Sequence, residues 1–330
     1  MGEEARPRVP TIAITMGDPA GIGPEIVVKA LARLRGTESF TPLVIGDLKM
    51  LRRVAASVGA ELELTDRQTP RPRAVCVLET GELPDDLEIG RDAAVTGRAS
   101  AKYIETAVEL WRSGEIDGLA TAPISKAAIA MAGFDFPGHT EFLASLTGTP
   151  RVAMSFFGGD LRVVLLSTHV SLRDAIALVT RDNLVDLIRF AAVELCGLLG
   201  RQPRIAVAGL NPHASEGGLF GVEEEREIIP AVEACRSVHG LDVSGPYSPD
   251  TIFLRGHRGE FDAVIACYHD QATIAVKSLA FGSAVNVTLG LPLVRTSVDH
   301  GTAFDIAGKG VADESSMVAA IELAARLVRM

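Results

Sequence analysis

Residues 11–46 read TIAITMGDPAGIGPEIVVKALARLRGTESFTPLVIG, and this stretch decides the fold. TIAIT (11–15) is an unbroken apolar run of strand length, the pattern of a strand covered on both faces. After a glycine-rich turn, PEIVVKALARL (24–34) spaces its apolar residues for a helix, with Pro24 at the first position. PLVIG (42–46) is a second buried strand. Strand, helix and strand in that order predict a βαβ unit with parallel pairing.

The alternation continues outward from this unit. DLKMLRRVAASVG (47–59) reads as a helix capped by Asp47 and stopped at Gly59, and AVCVLET (74–80) as a strand. SAKYIETAVELWRSG (100–114) is a helix and DGLATAP (117–123) a strand that ends in a turn. LRVVLLST (161–168), PRIAVAGLNP (203–212) and FDAVIACYHD (261–270) are further strands. They are separated by helices at 181–200 and at 223–238, the latter with an internal Pro230, and a helix at 315–329 closes the chain. The fold class is α/β, with a parallel or mixed sheet covered on both faces. No repeat or low-complexity linker interrupts it, and composition alone marks no domain border.

The 330 residues suffice for one large or two medium domains. A net charge of −10 argues against binding to nucleic acid, which needs Lys and Arg to displace counterions. It leaves room for a small anion, because a few cations in a cleft outweigh the global sign locally. Cys76, Cys196, Cys235 and Cys267 form no paired motif, so reduced thiols and a cytoplasmic location are expected. The N-terminus, MGEEARPRVP, shows no apolar signal core, and no apolar run reaches the ~20 residues of a membrane span.

Ligands of open α/β sheets gather at the carboxyl ends of strands, and the unusual residues fall there. TMGDPAGIGPEI (15–26) is a glycine turn that does not fit the dinucleotide fingerprint G-x-G-x-x-G. His169, His213 and His269 each follow a predicted strand. Singly, each reads as an interior histidine more readily than as a ligand; three at equivalent strand ends raise a divalent metal site to equal standing. His239 and His257 lie in polar segments and are expected at the surface.

In PGHTEF (137–142), His139 and Thr140 open a helical segment, a placement suited to phosphate or carboxylate. Lys277, Asn286 and Arg295 stand in the mostly apolar run AVKSLAFGSAVNVTLGLPLVRTS, and Lys277 reads as part of a strand-like segment. A cation there needs a ligand or a paired carboxylate. DHGTAFDIAGKGVAD (299–313) is a tight loop of exposed amides around an Asp305 expected to be buried.

In order, TMGDPAGIGPEI, TAPISK, PGHTEF, LNPHASEGGLFG, GPYSPDT, YHDQ and VNVTLGLPLVRTSVDHGTAFDIAGKG resemble the 4-hydroxythreonine-4-phosphate dehydrogenase family of pyridoxal phosphate biosynthesis. The likeness runs from about residue 10 to the C-terminus, and the last block also resembles a loop of the isocitrate and isopropylmalate dehydrogenases. It implies two α/β/α domains with the active-site cleft between them, residues 1–125 with 296–330 forming one and 126–295 the other. It implies a homodimer in which a divalent metal (Zn, Mg or Co) is held by His169, His213 and His269, one ligand coming from the partner subunit. The substrate-binding positions that match are His139, Thr140, Lys277, Asn286 and Arg295. NAD or NADP would lie near His300, Gly301 and Asp305.

The activity implied is metal-dependent oxidation of 4-phosphohydroxy-L-threonine, followed by decarboxylation to 3-amino-2-oxopropyl phosphate. Relatives acting on phosphothreonate, phosphoerythronate or a cis-dihydrodiol are the alternative, and a non-catalytic binding protein for a phosphorylated acid is another. Asp250 and Asp270 are candidates for the general base, although Asp270 beside His269 reads equally as its orienting partner. The chain departs from the family where ATIAVK (272–277) follows YHDQ: Ala272 and Ala275 replace a common Gly and Pro and leave Lys277 in place.

Overall fold

The computed structural model describes residues 8–329 apart from 72, 82 and 281; residues 1–7 of the polar N-terminus read above lie outside that range. The chain divides into two compact units, one made of the residues up to Pro150 together with Leu291–Arg329, the other of Arg151–Gly290.

The first unit opens with β1 (Thr11–Thr15), α1 (Gly23–Arg33), β2 (Thr41–Gly46) and α2 (Leu48–Ser57). It continues with β3 (Leu64–Asp66), β4 (Val75–Glu79), α3 (Ala94–Arg112), β5 (Gly118–Thr121), α4 (Lys126–Met131) and α5 (His139–Thr147). The second unit carries β6 (Ala153–Gly158), β7 (Leu161–Leu165), α6 (Leu172–Leu178), α7 (Arg181–Leu199) and β8 (Ile205–Ala208). A 3-10 turn (Pro212–Glu216) and a π turn (Glu224–Ile228) precede α8 (Ile229–Ser237) and β9 (Val243–Tyr247). Then come α9 (Pro249–His257), β10 (Ala263–Ala266), α10 (His269–Leu279) and β11 (Val285–Leu289). The chain returns to the first unit with β12 (Val294–Ser297) and α11 (Ser315–Leu327).

In the first unit the strand order is β3-β4-β2-β1-β5-β12, and every pair is parallel. Its central strands are buried on both faces, which is why Ile12, Ile14, Val44, Ile45 and Leu119 read as unbroken apolar runs. The connections from β1 lead to β2 on one side and, through β4 and α3, to β5 on the other. The topological switch point therefore lies between the carboxyl ends of β1 and β5. There the two loops touch: the Asp18 amide donates to the Pro123 carbonyl at 2.8 Å. Gly17 is required at this contact, with φ of +75° and a virtual Cβ only 2.5 Å from the Pro123 oxygen.

In the second unit the order is β11-β6-β7-β10-β8-β9. The pairs β11/β6 and β6/β7 are antiparallel, whereas β7/β10, β10/β8 and β8/β9 are parallel. Its core packs Leu161, Val163, Val264 and Ala206 against Ile252 of α9 and Val276 of α10.

The structure corrects several expectations. The unit borders fall at Pro150/Arg151 and Gly290/Leu291, not at 125/126 and 295/296. The cause is helix packing: α3 and α4 approach so closely that a Cβ on Gly97 would overlap the Ala128 carbonyl. This binds α4, and α5 after it, to the first unit. The helix expected at 100–114 starts earlier, at Ala94. The helix expected at 223–238 begins as a π turn, and Pro230, which has no N–H to give, sits in the first turn of α8 where the register changes. Asp47 caps α2 as expected, accepting from the Met50 amide at 2.6 Å. Among the described residues no helix is long and apolar enough to cross a membrane.

Candidate functional site

In the second unit, β7, β10 and β8 are neighbours and their carboxyl ends stand in a row. His169 follows β7, His269 is the first residue of α10 after β10, and His213 lies in the 3-10 turn after β8. The rings of His169 and His269 lie with centroids 5.6 Å apart, inclined by 43°. Nδ1 of His269 is 2.9 Å from Oδ1 of Asp270, a contact that orients the ring.

His213 does not join this pair: it is exposed and packs its ring 6.2 Å from that of Phe220. Among the described residues of this single chain, no three His, Cys, Asp or Glu side chains gather as a metal site. Of the three histidines, His169 and His269 have rings in contact, and His213 has its ring against Phe220.

Two residues that the sequence reading missed organise these strand ends. Gln271 accepts from the Cys267 amide at 2.7 Å and donates to the Gly209 carbonyl at 2.8 Å, tying the end of β10 to the end of β8. Glu224, 1% exposed, accepts from the amides of Leu210 (2.8 Å) and Asn211 (2.7 Å) and from Asn211 Nδ2 (2.8 Å). Its carboxylate anchors the base of the His213 loop. Gln271 was visible as the last letter of YHDQ; Glu224 had no local signal.

Lys277 lies on α10 and is exposed, not in a strand as expected, so its charge is solvated without a partner having to be built. Asn286, on β11, has a buried Oδ1 that meets no hydrogen-bond partner. Asp250 is exposed at the start of α9 and accepts from Ser248 Oγ at 2.5 Å. Asp270 serves as the hydrogen-bond partner of His269.

In the first unit, α5 begins at His139 and Thr140 behind Gly138, whose backbone is extended and whose position supplies no side-chain cap. The first amides of α5 are thus left for another acceptor. Arg295 of β12 is 3% exposed and donates to Thr121 Oγ1 from Nε (3.2 Å) and Nη2 (2.8 Å). Burial lowers its pKa to about 10, opposed by the charge of Glu141, so the guanidinium stays protonated at neutral pH. Burial first, and the charge of Arg295 second, hold His139 well below the ordinary imidazole range. Its Nε2 is buried with no partner. A neutral imidazole, a buried guanidinium and an open helix N-terminus are chemically suited to an anion.

The closing loop packs on the opening glycine turn: the Ile22 amide donates to the Thr302 carbonyl at 3.0 Å. His300 has Nδ1 3.1 Å from the Gly301 carbonyl, while its Nε2 is buried and unpartnered. Asp305 is exposed, contrary to its expected burial, within the turn 304–308, and Gly301 is exposed as well. His239 is exposed as expected, whereas His257 is half-buried in the last turn of α9 with its Nδ1 enclosed.

Comparison with known proteins places these features in a family. Residues 38–324 match the model of the pyridoxal phosphate biosynthetic protein PdxA. A D-threonate 4-phosphate dehydrogenase of Cupriavidus necator is 47% identical, with 97% of each chain covered. A 4-hydroxythreonine-4-phosphate dehydrogenase of Desulfosudis oleivorans is 46% identical, over 96% of this chain and 95% of its own. The crystal structure of a 4-hydroxythreonine-4-phosphate dehydrogenase from Burkholderia phymatum superposes with a TM-score of 0.84 at 47% identity, covering 97% and 98% of the two chains. With these matches over nearly its whole length, the chain belongs to the PdxA family of dehydrogenases.

Proposed function

We propose that this chain oxidises the 3-hydroxyl of a four-carbon 3-hydroxy acid bearing a terminal phosphate, with NAD or NADP as hydride acceptor. The first reading of the substrate is 4-phosphohydroxy-L-threonine, whose 2-amino-3-oxo product loses CO₂ to give 3-amino-2-oxopropyl phosphate. One observation carries the reading: the buried, unpartnered Nε2 of His139 beside the buried Arg295. Burying that imidazole nitrogen without a partner is costly, and a phosphate or carboxylate oxygen supplies the partner it lacks. A second reading, D-threonate 4-phosphate, is supported by the name of the Cupriavidus necator relative. The two substrates differ only at C2, amino against hydroxyl.

His139, Thr140 and Arg295 are the proposed substrate contacts of the first unit; for Lys277 and Asn286, on the second unit, a substrate role is proposed from the family resemblance alone. Neutral His139 donates or accepts one hydrogen bond, Thr140 offers hydroxyl and amide, and Arg295 fixes one oxyanion by its planar fork. Lys277 adds a mobile cation, and the enclosed Oδ1 of Asn286 awaits a donor. The donor set of His169 and His269 suits Zn²⁺, Co²⁺ or a similar ion, with Asp270 holding the His269 tautomer. A homodimer would complete that set, His213 of one chain serving beside the pair of the other. The bound divalent ion would stabilise negative charge on the substrate oxygen, and the nicotinamide would take the hydride. Unpartnered His300 Nε2 and the exposed amide of Gly301 fit a polar part of that dinucleotide, with exposed Asp305 available to a ribose hydroxyl.

The test is NADH absorbance on mixing the purified chain with NAD, a divalent cation and each candidate acid. Turnover with 4-phosphohydroxy-L-threonine or D-threonate 4-phosphate, abolished by a chelator and restored by the ion, is expected. Their relative kcat/KM assigns the C2 substituent. Binding of either acid without NAD reduction under any metal would refute a dehydrogenase in favour of a sensor.

A further inference from the structure

We propose that Lys126 is a further substrate-binding residue, holding the phosphate monoester at the N-terminus of α5. The inference deepens the dehydrogenase reading and rests on it for the identity of the natural ligand.

Three observations place the ammonium there. Lys126 is the first residue of α4, in the loop that leaves the carboxyl end of β5, one of the two strands flanking the switch point. Its Cε lies 3.8 Å from the point that a Cβ on Gly138 would occupy, and Gly138 is the uncapped N-terminal residue of α5. The backbone that carries it is held from several sides. Ser125 caps α4 by accepting from the Ala128 amide at 3.2 Å and hydrogen-bonds Asp92, and Pro123 accepts from the Asp18 amide. The side chain itself is exposed, so its charge is free to meet a ligand without a prior burial cost.

Charge balance gives the lysine its role. Glu141 stands on the same first turn of α5, with Oε2 3.3 Å from the same virtual Cβ, and its charge acts on Arg295. Arg295 and Glu141 therefore cancel formally, and His139 is neutral. Among these side chains, Lys126 leaves one net positive charge where a doubly negative phosphate would sit. Without it the cluster offers hydrogen bonds but no net attraction. Gly138 is equally suited to the purpose, since a larger side chain would fill the gap between the ammonium and the helix amides.

Inorganic phosphate is the probe, titrated calorimetrically into the wild-type full chain, Lys126→Ala and Lys126→Arg, with KM and kcat measured on the same preparations. We expect Lys126→Ala to weaken phosphate binding about tenfold and to raise KM in step, with kcat within about threefold of wild type. Lys126→Arg should recover most of both. Unchanged melting temperature in Lys126→Ala separates this from a structural effect. Phosphate affinity and KM within about twofold of wild type in Lys126→Ala would overturn the proposal, as would failure of the wild-type chain to bind phosphate. If the wild-type chain binds phosphate but turns over no phosphorylated acid, the dehydrogenase reading falls while the titration still decides Lys126.

Discussion

Replacing Asp18 by Asn should stabilise the protein, and by an amount that depends on pH in a defined direction. Asp18 lies in the turn after β1 with no exposed surface. Oδ1 accepts from the Ala20 amide at 2.8 Å and Oδ2 from Thr96 Oγ1 at 3.3 Å. Burial raises its pKa from 3.8 to about 6, helped by the charge of Asp92 and opposed by the hydrogen bonds from Ala20, Thr96 and the Ser125 backbone. The folded chain thus keeps a proton over a range in which the unfolded chain has lost it. The stabilising contribution of that proton is full below 3.8 and is lost as the pH rises through about 6.

At about 1.4 kcal/mol per tenfold, the charged carboxylate costs on the order of 3 kcal/mol at neutral pH. Asn removes that cost and keeps the contacts to Ala20 and Thr96. Its Oδ1 accepts from Ala20, and its Nδ2 can donate to Thr96 Oγ1 once the Thr96 proton turns from Asp18 to the Ala93 carbonyl, 2.9 Å away. Urea denaturation of both proteins should show Asp18→Asn more stable by roughly 2–3 kcal/mol at about pH 8, the gap closing toward about pH 4. A variant less stable than wild type at the higher pH refutes the reasoning. So does a gap that does not change with pH.

Two further substitutions test other parts of the fold. Gly97→Ala places a methyl group on the Ala128 carbonyl, a backbone atom that cannot rotate away, so α3 and α4 must separate. The expected loss is about 3 kcal/mol, seen as a lower melting temperature, and an unshifted melting curve would count against the packing described. Asp262, nearly buried, accepts from Arg201 Nη2 (2.6 Å), from the Arg204 amide (2.8 Å) and from Arg204 Nε (3.1 Å). The Arg201 hydrogen bonds are the main reason its carboxyl is held well below the usual range. Its stabilisation is present above 3.8 and lost as pH falls, so Asp262→Asn should cost about 2 kcal/mol at neutral pH and progressively less in acid. Equal urea midpoints at neutral pH would show the pairs to be idle.

The parallel sheet was legible because a strand covered on both faces has few polar positions to interrupt it, as in TIAIT and in AVIA (263–266), although the strand expected over 261–270 stops at Ala266 and His269 and Asp270 already belong to α10. The same physics hid β3 and β9. LTD (64–66) has three residues, and VSGPY (243–247) is mostly half-buried at a sheet edge. Neither shows an apolar run. Lys277 was misplaced because AVKSLA is apolar enough for a short strand, and periodicity does not separate a strand from a helix turn over so few residues. The unit borders were illegible for a different reason. They depend on the α3/α4 contact across Gly97, and a glycine carries no signal of what approaches it.

The start of α5 was legible because helix starts are local features, and PGHTEF shows both a glycine and the first helical residues. The three histidines were legible only as residues at strand ends. β7, β10 and β8 are adjacent, yet strand adjacency fixes where a loop begins and not where it goes. His169 and His269 stand close to their strands and their rings meet. The loop after β8 instead runs left-handed at His213, Ala214, Ser215 and Glu216, with φ of 53°, 52°, 66° and 47°. Each such residue costs roughly 1 kcal/mol or more, and a run of them persists only where the surroundings dictate it. Glu224 supplies that constraint by gripping the amides of Leu210 and Asn211, and Gln271 ties Gly209 to the end of β10. The left-handed run leaves His213 exposed, with its ring against that of Phe220.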